Sequence, residues 1–326
     1  MGHHDRFFKQ IFLNRDHVVD FVQNTLPSEI KKGIDYSTIL LEKGSHVDST
    51  LAEYFSDIVY SCKFYGTNLK IALLFEHKSS PELDLPFQLH RYIANLWENS
   101  VKQKKHRMPV IPIVVYHGKE NWNPDSLRSC FKDLPEILTP FIPDFKYIFI
   151  NISSWSDTEI KDAMFSLASL KISMLIMKHI FDQKRLENHL AEFLEIGRSF
   201  FQEKRGIKFL KTVISYLFKA TEIKTDTVVR SILSITKEGG EIAMTTAEKL
   251  REEGWQKGRQ EGWQKGREEA GYSMLQKLVH NAKKQGFSED IIATIVNLDI
   301  PSVKKILNNE KIEIPWHLLE PVDKDK

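Results

Sequence analysis

Ser56-Asp57-Ile58-Val59-Tyr60-Ser61-Cys62-Lys63-Phe64 is followed, after Tyr65-Gly66-Thr67-Asn68, by Leu69-Lys70-Ile71-Ala72-Leu73-Leu74-Phe75-Glu76-His77-Lys78. Two extended runs joined by a short glycine-containing loop predict a β-hairpin. A two-residue loop, Gly66-Thr67, and a four-residue loop, Tyr65–Asn68, both centre the hairpin between residues 66 and 67. Either choice sets Asp57 opposite Glu76. The two-residue side-chain period puts Lys78 on the face of Glu76 and turns His77 to the other side. Side chains directly opposite each other have Cβ atoms about 4.5–5.5 Å apart, so two carboxylates and an ammonium would share one small area.

Like charges facing each other across a ladder are destabilising unless something neutralises them. A hard divalent cation does so, because Mg²⁺ takes oxygen ligands and keeps several waters. Asp57, Glu76 and the backbone carbonyl of His77 are the candidate ligands, in a setting that would polarise a phosphate oxygen and acidify a bound water. Lys78 would orient that water or stabilise negative charge. The same spacing also suits an ion pair on a solvated sheet face. The apolar run Ile71–Phe75 favours the first reading, since a buried central strand delivers its polar end to a cleft.

Outward from the hairpin, helical and strand signals alternate. Apolar residues recur near helical spacing from Arg6 to Phe21, and Leu26-Pro27 closes that pattern. Further strands are predicted at Val110–Tyr116 and Tyr147–Ile150, with a helix over Leu83–Lys102 between the second and third runs. This order predicts an α/β domain with a mixed sheet flanked by helices over residues 1–155. Ser156-Asp-Thr-Glu159 is a capping-box pattern and opens a helical region, 156–240, in which Glu238-Gly-Gly240 reads as a break. Residues 241–272 hold an eight-residue repeat with glycines at Gly254, Gly258, Gly262 and Gly266. On a helix these glycines line one face, either as a groove for self-association or docking, or as part of a charged linker. The tail, 273–326, reads as a helical hairpin with Ala293, Leu298, Ile300, Val303 and Ile306 inward, as in a helix-turn-helix or any small packing hairpin.

The 326 residues carry 46 Lys+Arg against 44 Asp+Glu, so there is no global basic field and nucleic-acid binding would need a local patch. Lys102-Gln-Lys104-Lys105-His-Arg107 is one such basic run. Hydrophobic residues at 41% exclude a disordered chain. Cys62 and Cys130 are too few for a disulfide framework or a cysteine zinc site, which suits a reducing compartment. No apolar run approaches the ~20 residues of a membrane helix, and the N-terminus lacks a signal-peptide pattern, so a cytoplasmic protein is expected.

Asp57 with Glu76-x-Lys78 at the end of a hydrophobic strand is similar to the PD-(D/E)XK nuclease superfamily. His4-Asp5-Arg-Phe-Phe-Lys9, Phe55-Ser-Asp57-Ile-Val-Tyr60, Leu74-Phe-Glu76-His77-Lys78-Ser79-Ser80, Arg91-Tyr92 and Pro112-Ile-Val-Val-Tyr116-His117-Gly118 occur in that order. Together they resemble the Rpn family (recombination-promoting nuclease, YhgA-like putative transposase) across about the first 150 residues. The resemblance implies a restriction-endonuclease-like fold and a metal-dependent DNA endonuclease associated with recombination. It places Asp57, Glu76 and Lys78 on catalytic positions and Asp5 on an accessory acidic one. Lysine at 78 is closer to the wider superfamily than to the narrower family, where glutamine is common. Gln88 and Arg91 share a face of the following helix and are candidates to hold a phosphate or the attacking water. A nuclease-fold adaptor without catalysis, binding DNA or protein through its helical tail, is the alternative expectation.

Overall fold

The computed structural model describes residues 2–42, 58–66 and 70–312. The chain divides into two compact units, Met1–Ala247 and Glu248–Lys326.

The first unit is built on a five-stranded mixed sheet in the order β1-β2-β3-β4-β5. The strands are β1 (Leu40–Leu41), β2 (Ile58–Lys63), β3 (Lys70–Lys78), β4 (Val110–Tyr116) and β5 (Ile148–Asn151). The first three run antiparallel, whereas β3, β4 and β5 are parallel. The pairs from Ile58↔Phe75 to Lys63↔Lys70 are those of a hairpin centred between residues 66 and 67, as the sequence predicts. Tyr65 and Gly66, at φ 51° and 64°, make the left-handed backbone that turns the chain there. The short β1 carries no pattern of its own, and its two residues simply lengthen the antiparallel edge.

Both faces of β3 are covered, which is why Ile71–Phe75 is an unbroken apolar run. On one face Val59, Ala72, Leu74 and Val114 pack against Leu85, Leu89 and Tyr92 of α4 (Leu85–Lys102). On the other, Ile58, Tyr60, Leu73, Phe75, Ile113 and Val115 enter the larger core, formed with α1 (His3–Phe12), α2 (Arg15–Thr25) and α5 (Ala168–His179). The same core takes side chains from α6 (Gln183–Glu195), α7 (Lys204–Ala220) and α8 (Thr225–Leu233), while α3 (Ser28–Gly33) is a short turn beside the sheet edge. The segment 156–240 therefore shares one hydrophobic core with the sheet.

Three local expectations are corrected. The helical pattern over Arg6–Phe21 is two helices, because the Asn14 side chain accepts the Asp16 N–H at 3.0 Å and restarts the chain as α2. The capping box forms, with Glu159 N–H on Ser156 Oγ at 3.1 Å and Ser156 N–H on Glu159 Oε2 at 2.6 Å, but it heads a π-helical turn, Glu159–Met164. Glu238-Gly-Gly240 does not break a helix. It lies in the first turn of α9 (Lys237–Lys284), where a Cβ on Gly239 would stand 2.6 Å from Leu210 Cδ2. The glycines there let the helix approach its neighbours closely.

The joint between the N-terminal helices and α5 is polar, with Asp20, His17 and Ser169 buried in it. Asp20 accepts the Leu167 N–H at 2.8 Å and the Ser166 N–H at 2.9 Å, and His17 meets Ser169 Oγ at 2.7 Å. With the Asp20 carboxylate removed, the half-buried Leu167 N–H loses its acceptor.

In the second unit, α10 (Glu289–Val296) and α11 (Ile300–Leu307) form the predicted hairpin. Asn297 turns the chain at φ 53°, and Asp299 accepts the Ser302 N–H at 2.9 Å. Ala293, Val303 and Ile306 are buried with Leu275 and Val279 of α9, and Leu298 packs on them. Ile300, expected inside, is exposed at the first helical position. At Gly254, Gly258, Gly262 and Gly266 an added Cβ would meet no atom within 4 Å. Within the repeat, Arg259 and Arg267 lie over the rings of Trp255 and Trp263, at 5.4 and 4.9 Å from the centroids. No described helix is long and apolar enough to cross a membrane.

Asp20→Ala is expected to lower unfolding free energy by about 1–3 kcal/mol, measured by urea denaturation of the full chain. A loss below about 0.5 kcal/mol, the level of an ordinary surface change, would show that the joint does not depend on this carboxylate.

Candidate active site

The C-terminal end of β3 leaves the hydrophobic layer at Glu76, His77 and Lys78, and the strand's alternation sorts these three residues onto two faces. Glu76 and Lys78 follow Ala72 and Leu74 toward α4. His77 follows Leu73 and Phe75 into the opposite layer.

On the α4 face, Glu76 is 4% exposed. Its Oε1 lies 2.9 Å from Lys78 Nζ and accepts the Gln88 Nε2–H at 2.9 Å. The ammonium of Lys78 also donates to Gln88 Oε1 at 2.7 Å and pairs with Glu82. The Gln88 amide thus joins acid to base, with its nitrogen on the carboxylate and its oxygen on the ammonium. Gln88 Nε2 further meets Tyr92 Oη at 2.5 Å, one turn along α4. Burial alone would lower the Lys78 ammonium, but the Glu76 and Glu82 carboxylates outweigh it and hold Lys78 above the usual lysine value. The arrangement is a desolvated, charged pair with oriented amide and phenol groups, at the carboxyl end of a parallel strand pair, where open α/β sheets place their ligands.

The structure therefore brings Glu76, Lys78 and Gln88 together. Asp57 lies outside the described residues. Asp5 is on α1, in an ion pair with Lys9 at 3.1 Å, and has no described contact with Glu76. Arg91 is exposed on α4 with its guanidinium 5.8 Å from the Tyr92 ring centroid. Of the basic run, Lys102 pairs with Glu98 at 3.0 Å, and Lys104, Lys105 and Arg107 are exposed on the loop after α4. The sequence assigns no site role to Glu82, or to Tyr92 beyond its place in the Arg91-Tyr92 stretch. Their signal was spacing: Glu82 stands four residues after Lys78, and Tyr92 four after Gln88 on a helix, close enough to meet.

The other face of the strand end holds imidazoles. His77 Nε2 is 3.1 Å from His117 Nδ1, and the His77 ring stacks on Phe8 at 4.8 Å. His4 packs on the edge of His117 and lies 2.7 Å, through Nδ1, from Tyr216 Oη. His117 is fully buried, and its backbone N–H continues the ladder onto the Lys78 carbonyl at 3.2 Å. It is thus a structural element of the β3–β4 end. Burial pushes the His117 imidazole down to about 3, and burial with the His117 and His4 rings drives His77 well below the histidine range. Among the described residues, no three His, Cys, Asp or Glu side chains converge as a metal-binding group.

Two outcomes follow from these charges. Removing only the cation, by Lys78→Met, leaves a buried carboxylate and is expected to cost about 3–5 kcal/mol; Glu76→Gln/Lys78→Met recovers most of that loss in chemical denaturation. A double variant no more stable than the single one would show that the pair is not coupled. His117 is neutral in the folded chain and protonated in the unfolded one below its ordinary pKa of about 6.5. Its contribution to stability is therefore intact above that pH and declines by about 1.4 kcal/mol per pH unit on acidification toward its folded value. Replacing His117 with Gln should flatten this acid limb; an unchanged limb refutes the assignment.

The family described as "Putative transposase, YhgA-like" matches residues 2–208, which contain the whole sheet and the cluster at the end of β3. The chain is 27% identical over 311 residues to the recombination-promoting nuclease RpnC of Escherichia coli (strain K12), covering 94% of this chain and 97% of that protein. It is likewise 27% identical over 307 residues to the inactive recombination-promoting nuclease-like protein RpnE of the same strain, covering 92% and 96%. Identity to the recombination-promoting nuclease RpnA of that strain is 28% over 257 residues, 78% of this chain and 85% of that protein. No solved structure matches the chain. With more than half of its length matched, including every strand of the sheet, the chain belongs to the YhgA-like putative transposase family.

Proposed function

We propose that this chain is a metal-dependent DNA endonuclease acting in recombination, with its site at the end of β3. The observation that carries the reading is the buried Glu76 carboxylate, held by Lys78 and Gln88 directly after the apolar run Ile71–Phe75. Such a carboxylate is costly unless it is used or paired. The similarity to RpnC and RpnA, both named recombination-promoting nucleases, supports the same reading.

In this proposal Asp57, Glu76 and the backbone carbonyl of His77 hold a divalent cation such as Mg²⁺. The donor set consists of carboxylate and carbonyl oxygens, which suits a hard cation. When bound, the ion supplies charge to a phosphate oxygen and acidifies a water. The chain's own residues do the rest. Lys78, protonated and close to Glu76, places positive charge where the phosphate gains negative charge. Gln88 fixes the rotamer of Glu76 through its amide N–H and limits the swing of Lys78 through its carbonyl. Glu82 holds Lys78 from the solvent side.

A second reading, a nuclease-fold adaptor without catalysis, has a specific basis. RpnE is as similar as RpnC and is named inactive. Supercoiled plasmid separates the two. Pure wild-type protein with Mg²⁺ is expected to nick it, chelation to stop the reaction, and Asp57→Ala or Glu76→Gln to slow it by roughly 10²-fold or more. Gln88→Ala, which removes an orienting contact, is expected to cost about 10- to 100-fold. No metal-dependent nicking by folded wild type decides for the adaptor.

A further inference from the structure

Helices α1 and α7 pack through a parallel ring stack, Phe7 on Tyr216, with centroids 4.0 Å apart and planes 5° apart. Above that buried floor runs an open cleft of about 410 Å³. Its walls carry Arg6 from α1 and Lys208, Lys211 and Lys219 from α7, together with the Thr212 and Ser215 hydroxyls. No acidic residue lines it. The four cations are exposed, and none forms an ion pair among the described residues. Asp5 and Glu203 are committed elsewhere, to Lys9 and Arg205, and Glu222, three residues past Lys219, is not among the residues that line the cleft.

In a chain with 46 cations and 44 anions, a mixed surface would interleave the two signs. Four like charges in one concavity repel each other, and concave walls focus their field outward toward an anion. Lys208 to Lys219 covers about 16 Å of helix at 1.5 Å per residue. About five phosphates of one DNA strand occupy the same axial length. The polar wall residues include the Thr212 and Ser215 hydroxyls beside His3 and Gln10, and hydroxyl and amide donors are a usual complement to lysine and arginine at sugar–phosphate backbones. An anionic membrane is a poorer match, since the apolar lining residues Phe7 and Tyr216 are buried and offer nothing to insert.

We propose that the cleft between α1 and α7 binds the phosphate backbone of a nucleic acid, with Arg6, Lys208, Lys211 and Lys219 as its phosphate contacts. The assignment rests on the nucleic-acid reading of the preceding section for the class of partner, but not on hydrolysis. The cleft is built in the layer opposite α4, so it grips substrate at a place separate from Glu76. The Lys102–Arg107 run is not needed for it.

Binding of a fluorescent duplex oligonucleotide to the full chain, measured by anisotropy in chelator across a range of salt, tests this without cleavage. The variant Lys208→Ala/Lys211→Ala/Lys219→Ala should bind at least about tenfold more weakly at low salt and lose about 3 from the slope of log K against log salt. Arg6→Ala, on the other wall, should lower the slope by about 1. The control Lys102→Ala/Lys104→Ala/Lys105→Ala should lose less than the α7 triple variant. Unchanged affinity and slope in the folded α7 variant and in Arg6→Ala overturn the proposal. So does absence of duplex binding by wild type, or a loss confined to binding of phosphatidylserine vesicles. A protein that binds duplex through the cleft yet fails to nick plasmid would sink the endonuclease reading and leave this one standing.

Discussion

A carboxylate buried in a protein layer must be neutralised, and the end of β3 is arranged around that requirement. Glu76 follows Ala72 and Leu74 in one side-chain row of β3. The next residue of the row, Lys78, returns a positive charge to it at 2.9 Å, and Gln88 closes the remaining gap. The geometry depends on the strand having both faces covered, because only then is the carboxylate desolvated enough for its partners to matter. Helix α4 supplies that cover with Leu85, Leu89 and Tyr92, and supplies Gln88 from the same turns.

The opposite parity of the same strand end has a different chemistry. His77 and His117 meet ring to ring within the large core, with Phe8 stacked against the pair. These imidazoles are kept neutral by burial, so they join the sheet end to α1 without adding charge beside Glu76. Adjacent residues of one strand thus separate a charged face from a neutral, packing face. The pleat does this with no extra element.

Much of this was legible from residue order. The hairpin centre followed from the Tyr65–Asn68 loop, and with it the register of β2 on β3. The period of two assigned Glu76 and Lys78 to one side and His77 to the other. The helix after β3 was read almost to its ends, since Leu85, Leu89, Tyr92 and Ile93 keep a helical rhythm. What was missed came from partners distant in sequence. The Gly239-Gly240 pair reads as a stop until Leu210 and Leu233 are seen against it. The Tyr216 contacts of His4 and Phe7 lie more than 200 residues away and leave no local trace. At the site, Gln88 was a candidate by its helix face, but its double bond to acid and base needed the strand and helix placed together. Asp57 remains a reading of sequence, outside the described residues.

The tandem Trp-x-x-x-Arg units of α9 each satisfy themselves: the guanidinium that shields an indole belongs to the same eight residues. Copying one unit in the gene therefore adds about 12 Å of rod at 1.5 Å per residue, and turns whatever follows by about 80° at 3.6 residues per turn. The length of such a helix is a quantised trait, open to change by simple slippage during replication.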